Sequence, residues 1–558
     1  MSDADVALAC MEAFVDGLFA AGVREACVSP GSRSTPLALA LARHPSVRVR
    51  VHLDERSSAF FALGVSKATA APVAVACTSG TAAANLLPAV IEGSMGRVPL
   101  VVLTADRPPE LRGVGANQTI DQLGLYGGYV RSSVEAPIPN ESPSLDEWRR
   151  RGSDAAAAAS VAPPRPVHVN LPFREPLVPG EDGTDVSRRL DAGSIEPSDA
   201  RPAGIGPLVH DVSKVGRGLV YAGGLRVRGD DVVAIAEALG WPLVAEPHSG
   251  ARHGSALAGG RLLLESDLFV RSFTPDVVLQ IGAAPTSRAG LALVRRARRL
   301  LVLDPDDSVA DPFRRAALRS IAEPRDVRDA LAGLERVAIR EWVDAWADAS
   351  ERARSAADSL LDRWDEPFEG RIARDVAAAL PGGADLCVGS SMPIRDLDLY
   401  MRPRDGIRIF ANRGASGIDG FVSTTLGVAE SGAPTVGLLG DLTLLHDIGA
   451  LVWNARRGPN ATLVVLDNGG GAIFASLEQR ALPELEEFFV TPHGADIGAI
   501  ARSMGAAHHA IERADELEPA LRSALDTGGI QLLHVRIDPE RDRRRRAEIR
   551  AVIQAAVA

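Results

Sequence analysis

The chain has 558 residues and a formal net charge of −11, and 46% of its residues are hydrophobic while only 4% are aromatic. This length suffices for about three or four domains, and the composition is typical of a globular α/β protein. The negative charge argues against a general nucleic-acid-binding role.

Residues 1–182 alternate helical and strand patterns and are predicted to form an N-terminal α/β domain. Apolar residues recur at helical spacing over Ala7–Ala21 and Ser57–Thr69. Four short apolar runs predict strands at Glu25–Ser29, Val47–Leu53, Val73–Cys77 and Leu100–Thr104. Because α/β sheets bind ligands beyond the carboxyl ends of their strands, the polar residues that follow these runs are candidate site residues.

A linker and two further domains are predicted after this region. Residues 183–207 are rich in Gly, Asp, Ser, Arg and Pro and lack periodicity, which is typical of a linker. A middle α/β domain at 208–345 is predicted from strands at Gly218–Tyr221, Pro242–Ala245, Val277–Ile281 and Leu300–Leu303. A charged amphipathic helix over Glu341–Trp364, assigned as a connecting helix at 346–365, leads to a C-terminal domain at 366–558. The predicted fold class is α/β, with three domains whose parallel sheets are flanked by helices.

The C-terminal domain carries polar residues at the ends of two predicted strands. Gly440-Asp441-Leu442 ends the run from Ala433, and Asn468-Gly469-Gly470 ends the run from Ala461. A crossover helix predicted at Asp447–Arg457 would bring both ends to one edge of a parallel sheet. A carboxylate, an amide oxygen and a backbone carbonyl are suitable ligands for Mg²⁺, and glycines let phosphates approach closely. Taken alone, these residues are equally consistent with ordinary turns.

This spacing resembles the signature of thiamine-diphosphate (ThDP) enzymes, in which Gly-Asp-Gly is followed at a similar distance by Asn-Asn. The chain departs from that signature at Leu442 and Asp467. The resemblance implies a ThDP cofactor and a Mg²⁺ or Mn²⁺ ion whose ligands are Asp441, Asn468 and Gly470.

Glu55 follows a predicted strand and precedes a predicted helix in the N-terminal domain. A lone Glu there is more typical of a solvated residue in the first turn of a helix. In ThDP enzymes, however, a glutamate of this domain exchanges a proton with the aminopyrimidine ring of the cofactor. The resemblance therefore implies that Glu55 is the acid/base group.

Seven further segments resemble one particular family of ThDP enzymes. They are Val28–Pro36, Leu53–Ser58, Thr78–Asn85, Leu103–Pro109, Gly115–Ile120, Gly389–Asp396 and Asn412–Gly420. Together they resemble the menaquinone-pathway family of 2-succinyl-5-enolpyruvyl-6-hydroxy-3-cyclohexene-1-carboxylate (SEPHCHC) synthases, in the family's order along both outer domains. The resemblance implies an architecture similar to that of pyruvate oxidase and pyruvate decarboxylase. It also implies decarboxylation of 2-oxoglutarate on ThDP and 1,4-addition of the succinyl carbanion equivalent to isochorismate.

Three carboxylates remain to be bound after one CO₂ is lost, and the guanidinium fork of Arg suits them. By resemblance, the isochorismate ligands are Ser32, Arg33, Arg107, Asn117 and Gln118, and the ligands of the succinyl unit are Ser391, Arg395 and Arg413. Arg288 is carried over from a segment in which the family has a Lys-Arg pair, with Ser287 standing at the Lys position. The remaining cofactor contacts implied are Pro30, Thr78, Ser390, Ser391, Met392, Gly417, Ile418, Gly440, Leu442, Ile473 and Phe474.

Two other functional interpretations stay open at this point. The first is another ThDP-dependent 2-oxo acid decarboxylase or carboligase, similar to acetohydroxyacid synthase, although such pyruvate users need fewer carboxylate ligands. The second is a non-catalytic nucleotide-binding protein with a decayed site, against which the retained Glu55, Asp441 and Asn468 argue.

Partners and location are predicted from the same features. The family's sites lie between subunits, which implies a homo-oligomer of at least two chains. Arg541–Arg546 is interpreted as a solvated helix start and not as a nucleic-acid site. No apolar run is long enough for a membrane span. The four cysteines lack a Cys-x-x-Cys spacing, which argues against structural zinc and favours a reducing compartment, so the cytoplasm is predicted.

Overall fold

Three β-sheets form the framework of the protein, and every pair of neighbouring strands described in them is parallel. The computed structural model describes residues 2–139, 144–179, 205–226, 229–306, 311–452 and 458–558. The predicted linker at 183–207 lies outside these residues except for its last three. The α/β prediction is confirmed.

The first sheet has the strand order β2-β1-β3-β4-β6-β5. Its strands are β1 Glu25–Val28, β2 Arg48–Val51, β3 Val73–Cys77, β4 Leu100–Asp106, β5 Ser133–Glu135 and β6 Val167–Pro172. It lies in a first compact unit made of the described residues of 1–198, 412–433 and 443–460.

The second and third sheets lie in another unit, made of the described residues of 199–411, 434–442 and 461–558. The second has the order β11-β10-β9-β7-β8, with β7 Gly218–Ala222, β8 Leu243–Ala245, β9 Val277–Ile281, β10 Arg299–Leu303 and β11 Ala316–Ser320. The third has the order β13-β12-β14-β15-β17-β16, with β12 Ala384–Val388, β13 Ile407–Phe410, β14 Thr435–Gly440, β15 Ala461–Asp467, β16 Ala507–Ile511 and β17 Ile530–Arg536. Counted from its own first strand, the third sheet repeats the strand order of the first.

Helices connect these strands. In the first unit the α-helices are α1 Asp3–Ala20, α2 Thr35–Arg43, α3 Glu55–Thr69, α4 Thr81–Asn85, α5 Leu87–Met95, α6 Leu145–Ser160 and α16 Phe421–Ala429. In the second they are α7 Gly206–Val212, α8 Asp230–Leu239, α9 Gly260–Leu263, α10 Asp267–Ser272, α11 Arg288–Arg296, α12 Pro324–Leu331, α13 Arg340–Leu361, α14 Glu369–Ala379, α15 Met392–Tyr400, α18 Ile497–Ser503, α19 Leu517–Thr527 and α20 Pro539–Val557. Helix α17 is Asp441–His446. None of the described helices is both long and apolar enough to cross a bilayer.

Helix α3 carries Glu55 and is fixed at both its start and its middle. Asp54 caps it by accepting hydrogen bonds from the backbone N–H groups of Arg56 at 2.8 Å and Ser57 at 3.3 Å. Its buried face packs against α16 so closely that a Cβ on Gly64 would lie 2.1 Å from the carbonyl oxygen of Thr424. The residue at this crossing must therefore be Gly.

The crossover helix predicted at Asp447–Arg457 agrees with the structure in part. Residues 449–452 are helical after a turn at 447–448, and residues 453–457 lie outside the described residues. A separate short helix, α17, was not predicted and begins directly after β14, at Asp441. The N-terminus of α17 therefore stands at the strand end itself, where the partial positive charge of a helix start favours anions.

Candidate functional site

The carboxyl ends of three neighbouring strands of the third sheet carry the C-terminal site residues. Strand β12 pairs with β14, and β14 pairs with β15. The residues that follow these strands are Ser390 and Ser391, Asp441, and Asn468. The parallel sheet therefore aligns residues that are far apart in the chain along one edge.

Asp441 is buried at this edge and is held by backbone groups. Its carboxylate accepts hydrogen bonds from the N–H of Leu442 at 2.6 Å and from the N–H of Gly470 at 2.8 Å. Gly470 has a φ of +149°, and a Cβ there would lie 2.3 Å from the carbonyl oxygen of Val490. A glycine is thus required at this position, and the turn it forms closes over Asp441.

Asn468 presents an unused acceptor. Its Nδ2 donates to Oε1 of Glu369 at 2.7 Å. Its Oδ1 is buried and accepts no hydrogen bond from the described residues. A buried acceptor without a donor is costly, and a divalent cation would satisfy it. Asp441 and Asn468 therefore fit the metal that the ThDP signature implies.

Asp467 and His493 also lie at this site and were not among the predicted site residues. An atom from each lies with the Asp441 carboxylate inside a 4.8 Å cluster that could hold a metal ion. Nε2 of His493 is 3.4 Å from Asp441 and 3.8 Å from Asp467. No strand or spacing pattern marks His493, which reaches the site from the loop before α18.

The two carboxylates differ in their environments. Burial, together with the neighbouring Asp467, raises the pKa of Asp441 to about 6. Burial also opposes ionisation of Asp467, but hydrogen bonds from His534, at 2.7 Å, and from Gly469 outweigh it and lower its pKa. A cation bound here would favour the ionised form of both groups.

The loop after β12 has a strained conformation. Ser391 has a φ of 70° and immediately precedes α15. Arg395, one turn into that helix, is exposed and donates to the Ser391 carbonyl. Ser390 is buried and Met392 is half-buried. Non-glycine residues in this region of φ cluster at functional sites, which agrees with a role for Ser391.

Ile473 and Phe474 follow the Gly470 turn and are both half-buried. The Phe474 ring packs against that of Phe489 with the ring centroids 5.5 Å apart. Arg288 lies elsewhere, at the start of α11 in the second sheet's layer, where it is exposed. Ser287, at the position where the family has Lys, caps this helix by accepting from the N–H of Gly290 at 3.0 Å.

In the first unit, the loops after β1 and β3 meet. A Cβ on Gly31 would lie 2.2 Å from Cβ of Thr78, so the Pro30–Ser32 turn passes directly over Thr78. Oγ1 of Thr78 is buried and makes no hydrogen bond with the described residues. Glu55 is half-buried at the first position of α3. These loops leave polar groups available at the carboxyl edge of the first sheet.

Two of the predicted Arg ligands lie close together at that edge. Arg33 is buried and donates to the Phe173 carbonyl and to Glu175, both at 2.9 Å. Arg107 donates to Oγ of Ser79 and, at 3.1 Å, to the carbonyl of Gln118. Burial and then the guanidinium of Arg33 lower the pKa of Arg107. Asp106 and the exposed Glu175 partly offset these two cations, and two neighbouring guanidiniums still favour binding of an anion.

Gln118 has a φ of +56°, and its Nε2 donates to the Ser79 carbonyl at 2.9 Å. Asn117 beside it is exposed. Gln118 is exposed too, so the structure places Gln118 beside Arg107 through the Gln118 carbonyl and leaves both Asn117 and Gln118 at the surface of this loop.

The segment that carries Arg413, Gly417 and Ile418 is anchored by a glutamate that the sequence did not single out. Glu92 of α5 is buried, and its carboxylate accepts from the N–H groups of Gly414 at 3.0 Å and Ala415 at 2.7 Å. Arg413, Gly417 and Ile418 are all half-buried. Glu92 therefore fixes the backbone directly beside Arg413.

The basic run Arg541–Arg546 lies in the first turns of α20 and is solvated only in part. Arg543 and Arg544 are exposed as predicted, but Arg545 is buried and Arg546 is half-buried. Arg546 forms ion pairs with Glu369 at 2.7 Å, with Asp542 at 2.6 Å and with Asp396. Arg546 therefore supplies an internal counter-charge for buried carboxylates, which composition alone does not indicate.

Two family models match the chain across these sites. The N-terminal TPP (thiamine pyrophosphate) binding domain of thiamine pyrophosphate enzymes matches residues 9–125. The C-terminal TPP binding domain of the same enzymes matches residues 402–535. These matches confirm the prediction of a ThDP enzyme.

Individual relatives show which group of thiamine pyrophosphate enzymes the chain matches. A 2-succinyl-5-enolpyruvyl-6-hydroxy-3-cyclohexene-1-carboxylate synthase from Thermobifida fusca is 42% identical over 97% of this chain and 98% of its own length. A synthase of the same name from Chloroflexus aurantiacus is 41% identical over 94% of this chain and 92% of its own length. Another, from Halobacterium salinarum, is 39% identical over 96% of this chain and 96% of its own length. The chain belongs to this synthase family. Membership confirms the family resemblance drawn from the seven segments.

Within the synthase family, the two TPP-domain matches cover most of the residues discussed above. The N-terminal match includes Glu55, Arg33 and Arg107. The C-terminal match includes Arg413, Asp441 and Asn468. Arg288 and Ser391 lie outside both matched ranges.

Proposed function

We propose that this protein decarboxylates 2-oxoglutarate on ThDP and adds the succinyl unit to isochorismate, giving SEPHCHC and CO₂ in menaquinone biosynthesis. The observation that carries the proposal is near-complete coverage of the chain by synthases of that name, the first at 42% identity. Retention of Glu55, Asp441 and Asn468 at the ends of parallel strands supports a working site.

For the cofactor, we propose that Asp441, Asn468 and the Gly470 carbonyl bind Mg²⁺ or Mn²⁺, which holds the diphosphate. When bound, ThDP supplies a thiazolium carbon that attacks 2-oxo acids and stabilises the charge left after loss of CO₂. Glu55 exchanges a proton with the aminopyrimidine nitrogen. The unused Oδ1 of Asn468 and the burial of Asp441 support the metal assignment.

For the substrates, we propose that the paired guanidiniums of Arg33 and Arg107 bind the carboxylates of isochorismate. Ser32, Asn117 and Gln118 orient its ring and hydroxyl by neutral hydrogen bonds. The proposed ligands of the succinyl unit are Ser391, Arg395 and Arg413, and Arg288 is proposed as a further contact of isochorismate. The lowered pKa of Arg107 beside Arg33 supports an anion site there.

We further propose that residues 1–182 bind the pyrimidine, that 366–558 bind the diphosphate and metal, and that 208–345 form a middle domain. The remaining cofactor contacts are proposed at Pro30, Thr78, Ser390, Met392, Gly417, Ile418, Gly440, Leu442, Ile473 and Phe474. The active form is proposed to be a cytoplasmic homo-oligomer with each site completed by a second copy.

The test is CO₂ release from 2-oxoglutarate with ThDP and Mg²⁺, with and without isochorismate, together with mass spectrometry of the product. Strong stimulation by isochorismate and a product that gains a succinyl unit and keeps the enolpyruvyl group are expected. Turnover of pyruvate instead, or indifference to isochorismate, would contradict the proposal and move the enzyme to another branch of ThDP carboligases.

A further inference from the structure

A buried ion network lies behind Asn468, on the side away from its unused Oδ1. Glu369, the first residue of α14, has a side chain that is 4% exposed. One carboxylate oxygen, Oε2, is 2.7 Å from Nη2 of Arg546. The other, Oε1, accepts from Nδ2 of Asn468 at 2.7 Å. Glu369 therefore bridges a fixed cation and the proposed metal ligand.

Arg546 fixes the position of the Glu369 carboxylate because Arg546 is itself held by two other carboxylates. Its guanidinium is also bound by Asp396, with Nη2 to Oδ2 at 2.8 Å, and by Asp542, with Nε to Oδ2 at 2.6 Å. The backbone N–H of Glu369 itself donates to Asp542 at 3.1 Å. A guanidinium only donates hydrogen bonds, so the atom that faces it must be an oxygen.

The consequence for Asn468 follows from the chemistry of its amide. An amide has one accepting end and one donating end, and the end that faces an ionised carboxylate oxygen must be the NH₂ group. Burial and then Asp542 raise the pKa of Glu369, and the ion pair with Arg546 opposes that rise and favours the ionised form. The amide oxygen of Asn468 then points the other way, where it is buried and receives no hydrogen bond from the described residues. Only this orientation offers the cation an oxygen, because an NH₂ group cannot ligate it.

We propose that Glu369 is a positioning residue that sets the amide orientation of Asn468 and thereby makes Asn468 a metal ligand. The inference rests on the proposed function, since it assumes that ThDP is bound through a divalent cation. Partners that orient metal ligands commonly contribute about 10–100-fold to metal affinity.

The informative substitution is Glu369→Gln, which changes the size of the side chain hardly at all. The Gln oxygen must face Arg546, so its NH₂ group must face Asn468. The Asn468 amide is then expected to turn its oxygen towards Gln and its NH₂ group towards the cation. We expect Mn²⁺ affinity in the presence of ThDP to fall about 10–100-fold, measured by electron paramagnetic resonance of free Mn²⁺.

A second substitution separates orientation from simple charge. In the Asn468→Asp background both side-chain ends are oxygens, and one of them would repel Glu369. Adding Glu369→Gln there is expected to raise Mn²⁺ affinity, because the Gln NH₂ group can donate to Asp. Loss of a negative charge alone would lower cation affinity in both backgrounds, so the sign of the effect decides between the explanations.

Asp396→Asn is the matched control. It removes one carboxylate from the same Arg546 cluster, and the hydrogen bonds described for Asp396 run to Arg546 and not to Asn468. It should lower thermal stability comparably to Glu369→Gln while leaving Mn²⁺ affinity near the wild-type value. If Glu369→Gln does not fold alone, the inference is tested by comparing the Mn²⁺ affinity of the double variant, Asn468→Asp with Glu369→Gln, with that of Asn468→Asp.

Wild-type affinity for Mn²⁺ in Glu369→Gln, or a fall in affinity in both backgrounds, would overturn the inference. Failure of the proposed function would look different, because wild-type protein would then show no isochorismate-stimulated release of CO₂ from 2-oxoglutarate, whatever the Mn²⁺ affinities of the variants. The activity assay and the Mn²⁺ titration therefore distinguish the two failures.

Discussion

At the scale of single residues, Glu55 and Asp441 separate two tasks of the proposed reaction. Glu55→Gln keeps the size of a half-buried side chain whose helix is capped by Asp54, so the fold and ThDP binding should be retained. Turnover should fall about 100-fold or more because the proton exchange is lost. Steady-state rates and a ThDP titration check this, and an active Glu55→Gln enzyme would refute the assignment.

Asp441→Ala, unlike Glu55→Gln, should weaken the binding of ThDP. It removes a proposed metal ligand and the acceptor for the N–H groups of Leu442 and Gly470. ThDP affinity at fixed Mg²⁺ should fall about tenfold or more, and excess Mg²⁺ should restore it only in part. Isothermal titration with Glu55→Gln as the control tests this; unchanged ThDP affinity would count against the metal assignment.

Some site residues could be predicted from the sequence and others could not, for a physical reason. Asp441 and Asn468 follow strands, so strand ends in a parallel sheet reveal them. His493 belongs to no such pattern, and only the folded loop brings it to Asp441. Arg546 was interpreted as solvated because charge composition does not record which carboxylates a helix buries.

At the scale of elements, the crossing of α3 and α16 is the tightest contact that bears on Glu55. Gly64→Ala would place a methyl group 2.1 Å from the Thr424 carbonyl, and neither backbone can yield easily. We expect destabilisation of about 1–3 kcal/mol, despite the higher helix propensity of Ala. Turnover should fall too, since α3 begins at Glu55.

The control for that substitution is Gly206→Ala. Gly206 begins α7, is exposed, and has open space where a Cβ would be added. Thermal unfolding should show a lowered midpoint for Gly64→Ala and an unchanged or slightly raised one for Gly206→Ala. Equal midpoints for the two variants would contradict the tight crossing.

Elements were predictable from sequence where burial is uniform. Strands β3 and β9 were predicted with their observed bounds, because every residue in them is buried and the apolar run ends where the strand ends. Strand β2, at the edge of its sheet, is shorter than predicted and only partly buried. The start of α17 was missed because a helix directly after a strand leaves no intervening turn signal.

At the scale of the whole molecule, acid should weaken the fold through His168. Its ring lies buried between Oγ1 of Thr104 at 2.7 Å and Oγ of Ser133 at 2.8 Å, and burial lowers its pKa to about 4. Below pH 6.5 the imidazole of His168 becomes protonated in the unfolded chain, whereas in the folded protein it stays neutral until about pH 4. Stability should therefore be lost as pH falls through this window, by about 3 kcal/mol in all.

Thermal unfolding at a series of pH values tests this. His168→Gln cannot take up the proton, so it should be less stable than wild type near neutral pH but lose less on acidification. His446→Gln, which changes an exposed ring, should follow the wild-type curve. Parallel pH curves for wild type and His168→Gln would exclude this origin of acid lability.

The path from Arg546 through Glu369 to Asn468 has a consequence for the order in which the protein is made. A ribosome releases Asn468 long before it releases Arg546, which lies in α20. Until that helix emerges and docks, Glu369 lacks its contacts with Arg546 and Asp542, and the orientation of the Asn468 amide is not set. We therefore expect nascent chains that stall before α20 to bind Mn²⁺ and cofactor poorly, so that loading follows synthesis and a half-made enzyme does not sequester the vitamin.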